Sequence, residues 1–281
     1  MSQVTIITVC HNSMGVLPDM LASIPADIPV VLVDNASDDI SDLKALAKEH
    51  GAHLLNNPAN KGFGTACNQG AAIADTEFLL FLNPDAQLAT GALDALVAAA
   101  RAYPDATAFN PQILNGRRHR AFRRGSKIRP AERLRGPVPT QDREVPVLSG
   151  SAIFVHRSAF EKIGGFDEAI FLYHEDDDLS LRLRDHGQLM YCHNAVVCHL
   201  EGRGTPRSPQ SAAFKAFHMA RSRVYAYAKH GHRYAKLTTL LTAMLRLAYP
   251  ETLLSKRKRS KNWGFFKGAL SAQKDGGRGH P

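Results

Sequence analysis

The stretch Pro29-Val-Val-Leu-Val-Asp-Asn-Ala-Ser-Asp-Asp39 decides the fold. Its apolar half predicts a short buried strand, and its polar half leads into a helix predicted over residues 41–50. Gly51 follows that helix directly, which is a common stop signal. An apolar strand that ends in a polar turn and continues into a helix is the repeating unit of helix-covered parallel sheets.

The same unit recurs on both sides of this stretch. Strands are predicted at 4–9, 52–55 and 78–82, and helices at 14–24, 65–74 and 91–103. The alternation predicts an α/β fold with a mostly parallel sheet covered on both faces. Ligands of such sheets bind beyond the carboxyl ends of the strands, where His11, Asp34 and Asp85 lie. We therefore expect these three side chains to converge on one crevice.

The pattern changes after about residue 110. Residues 115–146 are rich in arginine and proline and show little periodicity, which predicts a long, mobile, basic loop. Strand character returns at 147–155, with Gly150 at a bulge or a close approach. The remaining predicted elements are a short helix at 158–163, an acidic helix ending near 186, strands at 190–192 and 195–198, and basic amphipathic helices from 212 onward.

Composition is that of a globular protein, with 281 residues, 44% hydrophobic and 22% charged. The four cysteines are not spaced in the pairs typical of metal sites. The sequence starts with a strand-like segment and not with a signal peptide. Both observations favour a cytoplasmic setting. The net charge of +9 is concentrated in residues 117–135 and 256–261. Such patches attract nucleic acid, anionic lipid or diphosphate groups, unless they are simply solvated.

An acidic cluster stands out against this basic background. Glu175, Asp176, Asp177 and Asp178 are consecutive and lie beside apolar residues. Crowded carboxylates favour a role in binding a cation or taking up a proton. The alternative is an acidic first turn on a surface helix, where the carboxylates offset the positive helix end.

Other polar motifs also follow strands. Asp34 could accept a hydrogen bond from the imide of a pyrimidine base, or could form only an Asx turn and helix cap. Asn83-Pro-Asp85 could place one carboxylate on Mg²⁺, or could be a common turn. His199, followed by Gly202 and Gly204, could complete a metal shell, or could be an ordinary surface or core histidine. Phosphate-loop, dinucleotide and hydrolase-elbow motifs are absent from the sequence.

Taken in order, these segments resemble family 2 glycosyltransferases of the GT-A fold. The resemblance covers roughly residues 3–204, and the segments that carry it are 5–12, 33–39, 60–70, 82–85, 150–157, 164–167, 175–182 and 199–202. The Asn-Pro-Asp form and the downstream histidine look most like the rhamnosyltransferase-type branch, which builds cell-surface polysaccharide from dTDP- or UDP-sugars.

The resemblance implies an architecture. Residues 1–204 would form an α/β GT-A domain, with a Rossmann-like nucleotide-binding half and a mixed central sheet. Residues 205–281 would form a basic amphipathic helical region.

The resemblance also implies roles at matching positions. Asp34 would read the pyrimidine base, and His11 stands where the family usually has a tyrosine that packs on it. Gly62 and Asn68 would lie near the nucleotide sugar, and Asn83 would contact the sugar or a metal-bound water. The proposed metal ligands are Asp85 and His199, for Mn²⁺ or Mg²⁺. Asp176 matches the general base, and Glu175 would orient a hydroxyl.

The expected activity is metal-dependent, inverting transfer of a sugar from a dTDP- or UDP-sugar, with dTDP-rhamnose as one candidate. The expected acceptor is a glycan or a lipid-diphosphate-linked glycan. The basic tail could bind the inner face of an anionic membrane, or could be an ordinary solvated helix packed on the domain. The main alternative is a non-catalytic nucleotide-binding relative or scaffold. A nucleotidyltransferase fits the Glu-Asp pair less well, and a nucleic-acid binder lacks any recognisable motif.

Overall fold

The computed structural model describes residues 3–38, 40–200 and 208–273. Over these residues, ten strands form one sheet. The strands are β1 (Val4–Cys10), β2 (Val30–Asn35), β3 (His53–Asn57), β4 (Phe78–Leu82), β5 (Ala86–Leu88), β6 (Ala106–Asn115), β7 (Arg120–Ala121), β8 (Arg143–Glu144), β9 (Ala152–His156) and β10 (Gln188–His199). The helices are α1 (Leu17–Ala22), α2 (Ser41–Glu49), α3 (Phe63–Ala71), α4 (Ala92–Ala102), α5 (Arg157–Lys162), α6 (Glu175–Arg184), α7 (Pro209–Lys229), α8 (Ala235–Ala248), α9 (Pro250–Leu254) and α10 (Lys256–Ser271).

The strand order is β3-β2-β1-β4-β9-β6-β10-β5, with β7 on β6 and β8 on β10. Strands β3, β2, β1 and β4 are parallel, as expected from their alternation with helices. Strand β9 then runs antiparallel between β4 and β6, and β5 pairs antiparallel with β10. Parallel pairing therefore holds among the first four strands and again between β6 and β10. The antiparallel pairs make the sheet mixed, which confirms the mixed sheet that the resemblance implied.

Two apolar cores lie on the two faces of the sheet. Consecutive residues of β1 point to opposite faces, so that Ile6 joins one core and Ile7 the other. Helices α1, α2 and α4 cover the first face, and α3, α5 and α6 cover the second. This double cover explains why the strands are continuous apolar runs.

Three elements differ from the sequence-based expectation. Strand β6 was not expected, because Pro111 and its polar neighbours Asn110 and Gln112 argue against a central strand. The two short strands expected at 190–192 and 195–198 are one strand, β10, whose register with β6 shifts between Cys192 and Val196. The strand expected from 147 begins only at Ala152.

The basic segment 115–146 has little regular structure, as expected. It contains β7, β8 and one turn of 3-10 helix over Pro130–Glu132. It is nevertheless anchored, because Ile128 is buried in a cluster with Ile170, Leu181 and Ala226. Mobility of this segment stays a prediction.

The C-terminal helices form a layer of their own. Helix α10 packs against α7 at two glycines, where the backbones approach closely. A β-carbon at Gly264 would lie 2.3 Å from the Ala213 carbonyl oxygen, and one at Gly268 would lie 2.1 Å from that of Phe217. Nowhere in 3–38, 40–200 or 208–273 is a helix both long and apolar enough to cross a membrane.

Candidate functional site

Strand β2 carries Asp34 and Asn35 to the carboxyl edge of the sheet, beside the end of β1. Asp34 is buried, and its carboxylate oxygens accept the Ser37 amide at 3.3 and 3.2 Å. The Asx-type turn therefore forms, although Asp34 does not cap α2, which begins after Ile40. Its contact with a base stays a prediction, and Asp39 of the same motif lies outside the described residues.

Asn35 organises the loop in front of α3. Its amide nitrogen donates to the Gly62 carbonyl at 3.2 Å, and its amide oxygen accepts the Lys61 amide at 2.9 Å. The Nδ1 atom of exposed His11 lies 3.1 Å from the Asn35 carbonyl oxygen. The structure thus brings His11, Asp34 and Gly62 together. The sequence motif contained Asn35, but its role as an organiser was missed.

Gly62 connects the ends of β1 and β2 to the segment that leads into the acidic helix α6. Its φ of 87° lies in the left-handed region, and a β-carbon there would be 2.6 Å from the Phe171 carbonyl oxygen. That same oxygen accepts the Phe63 amide at 3.0 Å. The loop before α3 therefore rests on the segment that leads into α6, which is a physical reason for glycine at this position.

Asn68 is placed differently. Its amide group forms two hydrogen bonds with the backbone of Phe166, at 2.9 and 2.8 Å, and so joins α3 to the loop after α5. This geometry gives Asn68 a structural function, and its expected place near the donor sugar stays a prediction.

The residues expected at the metal do meet. Strand β5 pairs antiparallel with the end of β10, which places Asp85 beside His199. The Asp85 Oδ1 and His199 Nε2 atoms are 3.0 Å apart, and the Asn83 amide nitrogen is 3.5 Å from the same His199 nitrogen. Gly202 and Gly204, named with His199 in the sequence, lie outside the described residues.

These donor atoms fit a divalent cation that is also held by a substrate. Carboxylate oxygen and imidazole nitrogen both suit Mn²⁺, and Mg²⁺ sites often contain few protein ligands plus phosphate oxygens. Within the described chain, no group of three or more His, Cys, Asp or Glu could hold a metal ion. Asp85 and His199 would therefore need donor phosphates or further ligands to complete the shell.

Lys215 of α7 is a basic residue whose relation to this site the sequence did not reveal. Burial lowers the pKa of Lys215, Asp85 raises it in part, and Arg257 lowers it further. Lys215 is therefore within electrostatic reach of Asp85. Its sequence position among many tail lysines and arginines gave no signal of this proximity.

Asp176 lies in the first turn of α6, beside Gly150. Its Oδ2 atom accepts the Gly150 amide at 3.1 Å and an ion-paired hydrogen bond from Arg123. The close approach expected at Gly150 is confirmed, because a β-carbon there would lie 3.1 Å from the same oxygen. The next residue, Ser151, accepts the Asn83 amide at 3.0 Å, which links the Asp176 end to the Asp85 end of the site.

Glu175 differs from its acidic neighbours. Burial and the adjacent Asp176 raise the pKa of Glu175 from 4.5 to about 8. Its Oε2 atom is buried without a hydrogen-bond partner among the residues that the structure describes. Glu175 is thus largely protonated at neutral pH and offers an unsatisfied polar atom.

The other two acids have structural partners. Asp177 contacts His174 Nδ1 at 3.3 Å and Arg123 Nη2 at 2.9 Å, and Asp178 contacts His230 Nε2 at 2.8 Å. Burial opposes ionisation of both, but these contacts outweigh it and hold each pKa at about 2. Three of the four carboxylates of the acidic cluster, Asp176, Asp177 and Asp178, are therefore ion-paired, and Glu175 has no ion pair among the described residues.

Arg123 is the main site residue that the sequence did not single out. It was noted only as a member of a basic cluster. In the structure it contacts Asp176, Asp177 and the Leu148 carbonyl oxygen, the last at 2.8 Å. No local sequence signal distinguishes it from the neighbouring arginines.

Comparisons with known proteins identify the family and the fold of the chain. The model of the family Glycosyl transferase family 2 matches residues 5–164. The N-acetylglucosaminyl-diphospho-decaprenol L-rhamnosyltransferase of Mycobacterium tuberculosis is 35% identical over 66% of this chain and 70% of its own. A Pyrobaculum calidifontis mannosyltransferase solved with GDP-Man and Mn²⁺ has a TM-score of 0.58 at 17% identity, covering 95% of this chain and 86% of that one.

Residues 1–349 of S. aureus TarS, solved with UDP, have a TM-score of 0.56 at 14% identity, covering 96% of this chain and 91% of that one. These structural likenesses confirm the GT-A fold. The family match and the mycobacterial relative establish membership: the chain belongs to glycosyl transferase family 2 and resembles its rhamnosyltransferases.

Proposed function

We propose that this chain is an inverting glycosyltransferase that uses a dTDP- or UDP-sugar, with dTDP-rhamnose as one candidate. The acceptor is a hydroxyl of a glycan or lipid-diphosphate-linked glycan in cell-surface polysaccharide synthesis. The observation that carries the proposal is the contact chain that links Asp85 and His199, through Asn83 and Ser151, to Gly150 and Asp176. These contacts support the proposal because they join, at one edge of the sheet, the residues that would bind the diphosphate and the residue that would act as the base.

Asp34 and His11 would receive the pyrimidine base at the ends of β1 and β2. Asp34 is buried at the sheet edge, where a carboxylate can accept the imide N–H. The exposed His11 ring can stack on the base from outside, with its Nδ1 atom held near Asn35. Discrimination between thymine and uracil has no assigned residue.

Asp176 would act as the general base. As the acceptor hydroxyl attacks the anomeric carbon, a new C–O bond forms on the face opposite the diphosphate, the old C–O bond breaks, and the proton passes to Asp176. One such displacement inverts the anomeric centre. Protonated Glu175, with its unsatisfied Oε2, would hydrogen-bond an acceptor or sugar hydroxyl and so orient it.

Asp85 and His199 would hold Mn²⁺ or Mg²⁺ on the donor diphosphate. A cation bound there stabilises the negative charge that develops on the leaving group. Lys215 would add a positive charge on the same side, because it already lies within the field of Asp85.

The basic segment would bind the acceptor diphosphate. Arg124, Arg133 and Arg135 line an open cavity of about 440 Å³. Glu132, the nearest acid in sequence, is paired with Arg129 and Arg184 instead. Guanidinium groups bind phosphate oxygens in a bidentate manner, so this cavity suits a diphosphate. The M. tuberculosis relative is named for a diphosphate-linked lipid acceptor, and we infer that this chain works at the inner membrane face on a similar acceptor.

Nucleotide binding and donor hydrolysis test this proposal. Purified protein with Mn²⁺ should be stabilised by dTDP or UDP in a thermal-shift assay and should hydrolyse the matching nucleotide sugar slowly. Asp85→Asn should weaken the Mn²⁺-dependent part of the nucleotide stabilisation. Asp176→Asn should bind nucleotide normally but fail to hydrolyse the donor. If the wild type binds nucleotide but does not hydrolyse the donor, the non-catalytic scaffold is favoured. If the wild type does not bind nucleotide, both the enzyme and the scaffold proposals are contradicted.

A further inference from the structure

Helix α8 differs from an ordinary surface helix in which of its residues are buried and which are exposed. The residues that it buries against the protein are small: Ala235, Thr239 and Ala243. Its exposed residues include large apolar side chains on the opposite face: Leu237, Leu241, Met244 and Leu245. Surface helices normally bury their large apolar residues and expose polar ones. Leu240 packs against the core that α8 shares with α7 and α10, but packing among the described residues does not explain Leu237, Leu241 and Leu245.

The exposed face is a continuous stripe. Its members are spaced by three or four residues, which places them on one side of a helix. Leu245 is 68% exposed and Leu241 is 48% exposed. In the part of the chain that the structure describes, about half or more of each of these side chains stays exposed. Contiguous exposed apolar surface of this kind commonly marks a binding surface.

Aromatic and basic residues frame this stripe. Tyr234 precedes α8 and Tyr249 follows it, and both are exposed. Hydrogen bonds fix α8 antiparallel to α10: Lys236 Nζ donates to the Ala272 carbonyl at 2.8 Å, and Asn262 Nδ2 to the Arg246 carbonyl at 3.0 Å. The end of α8 therefore lies beside the start of α10, whose exposed basic residues are Lys256, Arg257, Lys258, Arg259 and Lys261.

We propose that the α8 stripe, with α9 and the basic start of α10, docks onto an anionic lipid bilayer. An apolar face with flanking tyrosines and adjacent lysines and arginines is the pattern of helices that lie in the membrane interface. Leu254 of α9, 87% exposed, extends the apolar surface towards the basic run. The basic residues add electrostatic attraction to anionic headgroups.

Charge argues against a second copy of this chain as the occupant. Symmetric pairing through α8 would bring together two copies of a protein with a net charge of +9, which repel each other. A bilayer rich in anionic lipid instead complements this charge. Helix α8 has 14 residues, or about 21 Å of length, so it would lie in the interface and not span the membrane.

Docking onto a bilayer would bring the chain to the lipid-linked acceptor that we propose. This role of the surface rests on the proposed function. Arg257 at the start of α10 is within electrostatic reach of Lys215, which in turn reaches Asp85. Vesicle binding is measured without donor or acceptor, so docking and sugar transfer can fail independently.

Vesicle flotation of the full chain tests the docking surface. Vesicles of phosphatidylglycerol and phosphatidylcholine should carry the wild type upward, and vesicles of phosphatidylcholine alone should carry much less. Leu241→Asp with Leu245→Asp should reduce the floated fraction by at least about tenfold, since burial of two leucines contributes several kcal/mol. Lys256→Glu with Arg257→Glu and Lys261→Glu should abolish the preference for anionic vesicles.

Ile73→Asp is the matched control, because Ile73 is 47% exposed after α3, outside the tail. It should float like the wild type, and melting curves should show that every variant remains folded. Equal flotation of the α8 variant and the wild type would overturn the proposal. So would a wild-type dimer in solution that Leu241→Asp with Leu245→Asp dissociates, because the stripe would then be a protein interface.

Discussion

Arg123 of the basic segment forms an ion pair with Asp176, the residue that we propose as the general base. The same guanidinium contacts Asp177 at 2.9 Å and the Leu148 carbonyl. Burial by itself lowers the pKa of Arg123, but Asp176 and Asp177 outweigh it and raise the pKa above its usual value. The carboxylate of Asp176 is therefore paired with a permanent positive charge. An acceptor hydroxyl that approaches Asp176 has to displace the Arg123 hydrogen bond.

Replacing Asp176 by Asn should abolish transfer while leaving donor binding intact. The amide keeps the shape of the side chain but cannot take up the hydroxyl proton, so we expect kcat to fall by about 10²- to 10⁴-fold. Asp94→Asn is the matched control, because Asp94 is exposed on α4 and away from the acidic helix. Transfer rates and nucleotide dissociation constants would be measured together, and an unchanged kcat would remove Asp176 from the mechanism.

Replacing Arg123 by Gln should uncouple donor hydrolysis from sugar transfer to the acceptor. Without the guanidinium, Asp176 is free to activate water, so donor hydrolysis in the absence of acceptor should rise several-fold. Release of UDP or dTDP over time measures this rate, with Arg143→Gln on exposed β8 as the control. If hydrolysis falls to the level of Asp176→Asn, Arg123 assists the chemistry and does not cap the base.

Replacing Gly62 by Ala should destabilise the fold more than the same change at Gly51. Both glycines have positive φ, so each variant loses about 1–2 kcal/mol from the backbone conformation. Only at Gly62 does the new methyl group also meet the Phe171 backbone, which should bring the loss to roughly 3 kcal/mol or more. Denaturant unfolding measures the difference, and equal losses would show that the Gly62–Phe171 contact is unimportant.

Replacing Glu175 by Gln should stabilise the protein increasingly as pH rises. Because its folded-state pKa is raised from 4.5 to about 8, the wild type loses stability progressively across this interval. Glu175 ionises freely in the unfolded chain there but keeps its proton in the folded protein. Gln has no carboxyl group to ionise, so the variant does not lose this stability. The difference in melting temperature between the variant and the wild type should therefore increase from pH 5 to pH 8. A difference that stays constant with pH would contradict the raised pKa.

The regular first half of the fold was accessible from sequence because each strand there is a short apolar run bounded by a polar turn. Strand β6 was not, since Pro111 and two buried polar residues obscure its pattern. The antiparallel position of β9 between β4 and β6 depends on pairing between distant segments, which periodicity does not encode.

The candidate site also contains some residues that the sequence predicted and others that it did not. Asp34, Asp85 and His199 could be named because each follows a strand, where a sheet gathers ligand-binding groups. Arg123 and Lys215 could not, because their contacts arise from the folding of an irregular segment and of α7 back onto the sheet edge. Asn68 shows the converse, since a residue chosen from a motif forms backbone hydrogen bonds to Phe166.

The most direct test of the central claim is a crystal structure with dTDP or UDP and Mn²⁺, with the metal located by its anomalous signal. We predict one Mn²⁺ peak within bonding distance of Asp85 and His199, bridged to the diphosphate, with the base beside Asp34 and Asp176 facing the sugar side. A metal peak or a nucleotide at any other edge of the sheet would contradict the proposed site.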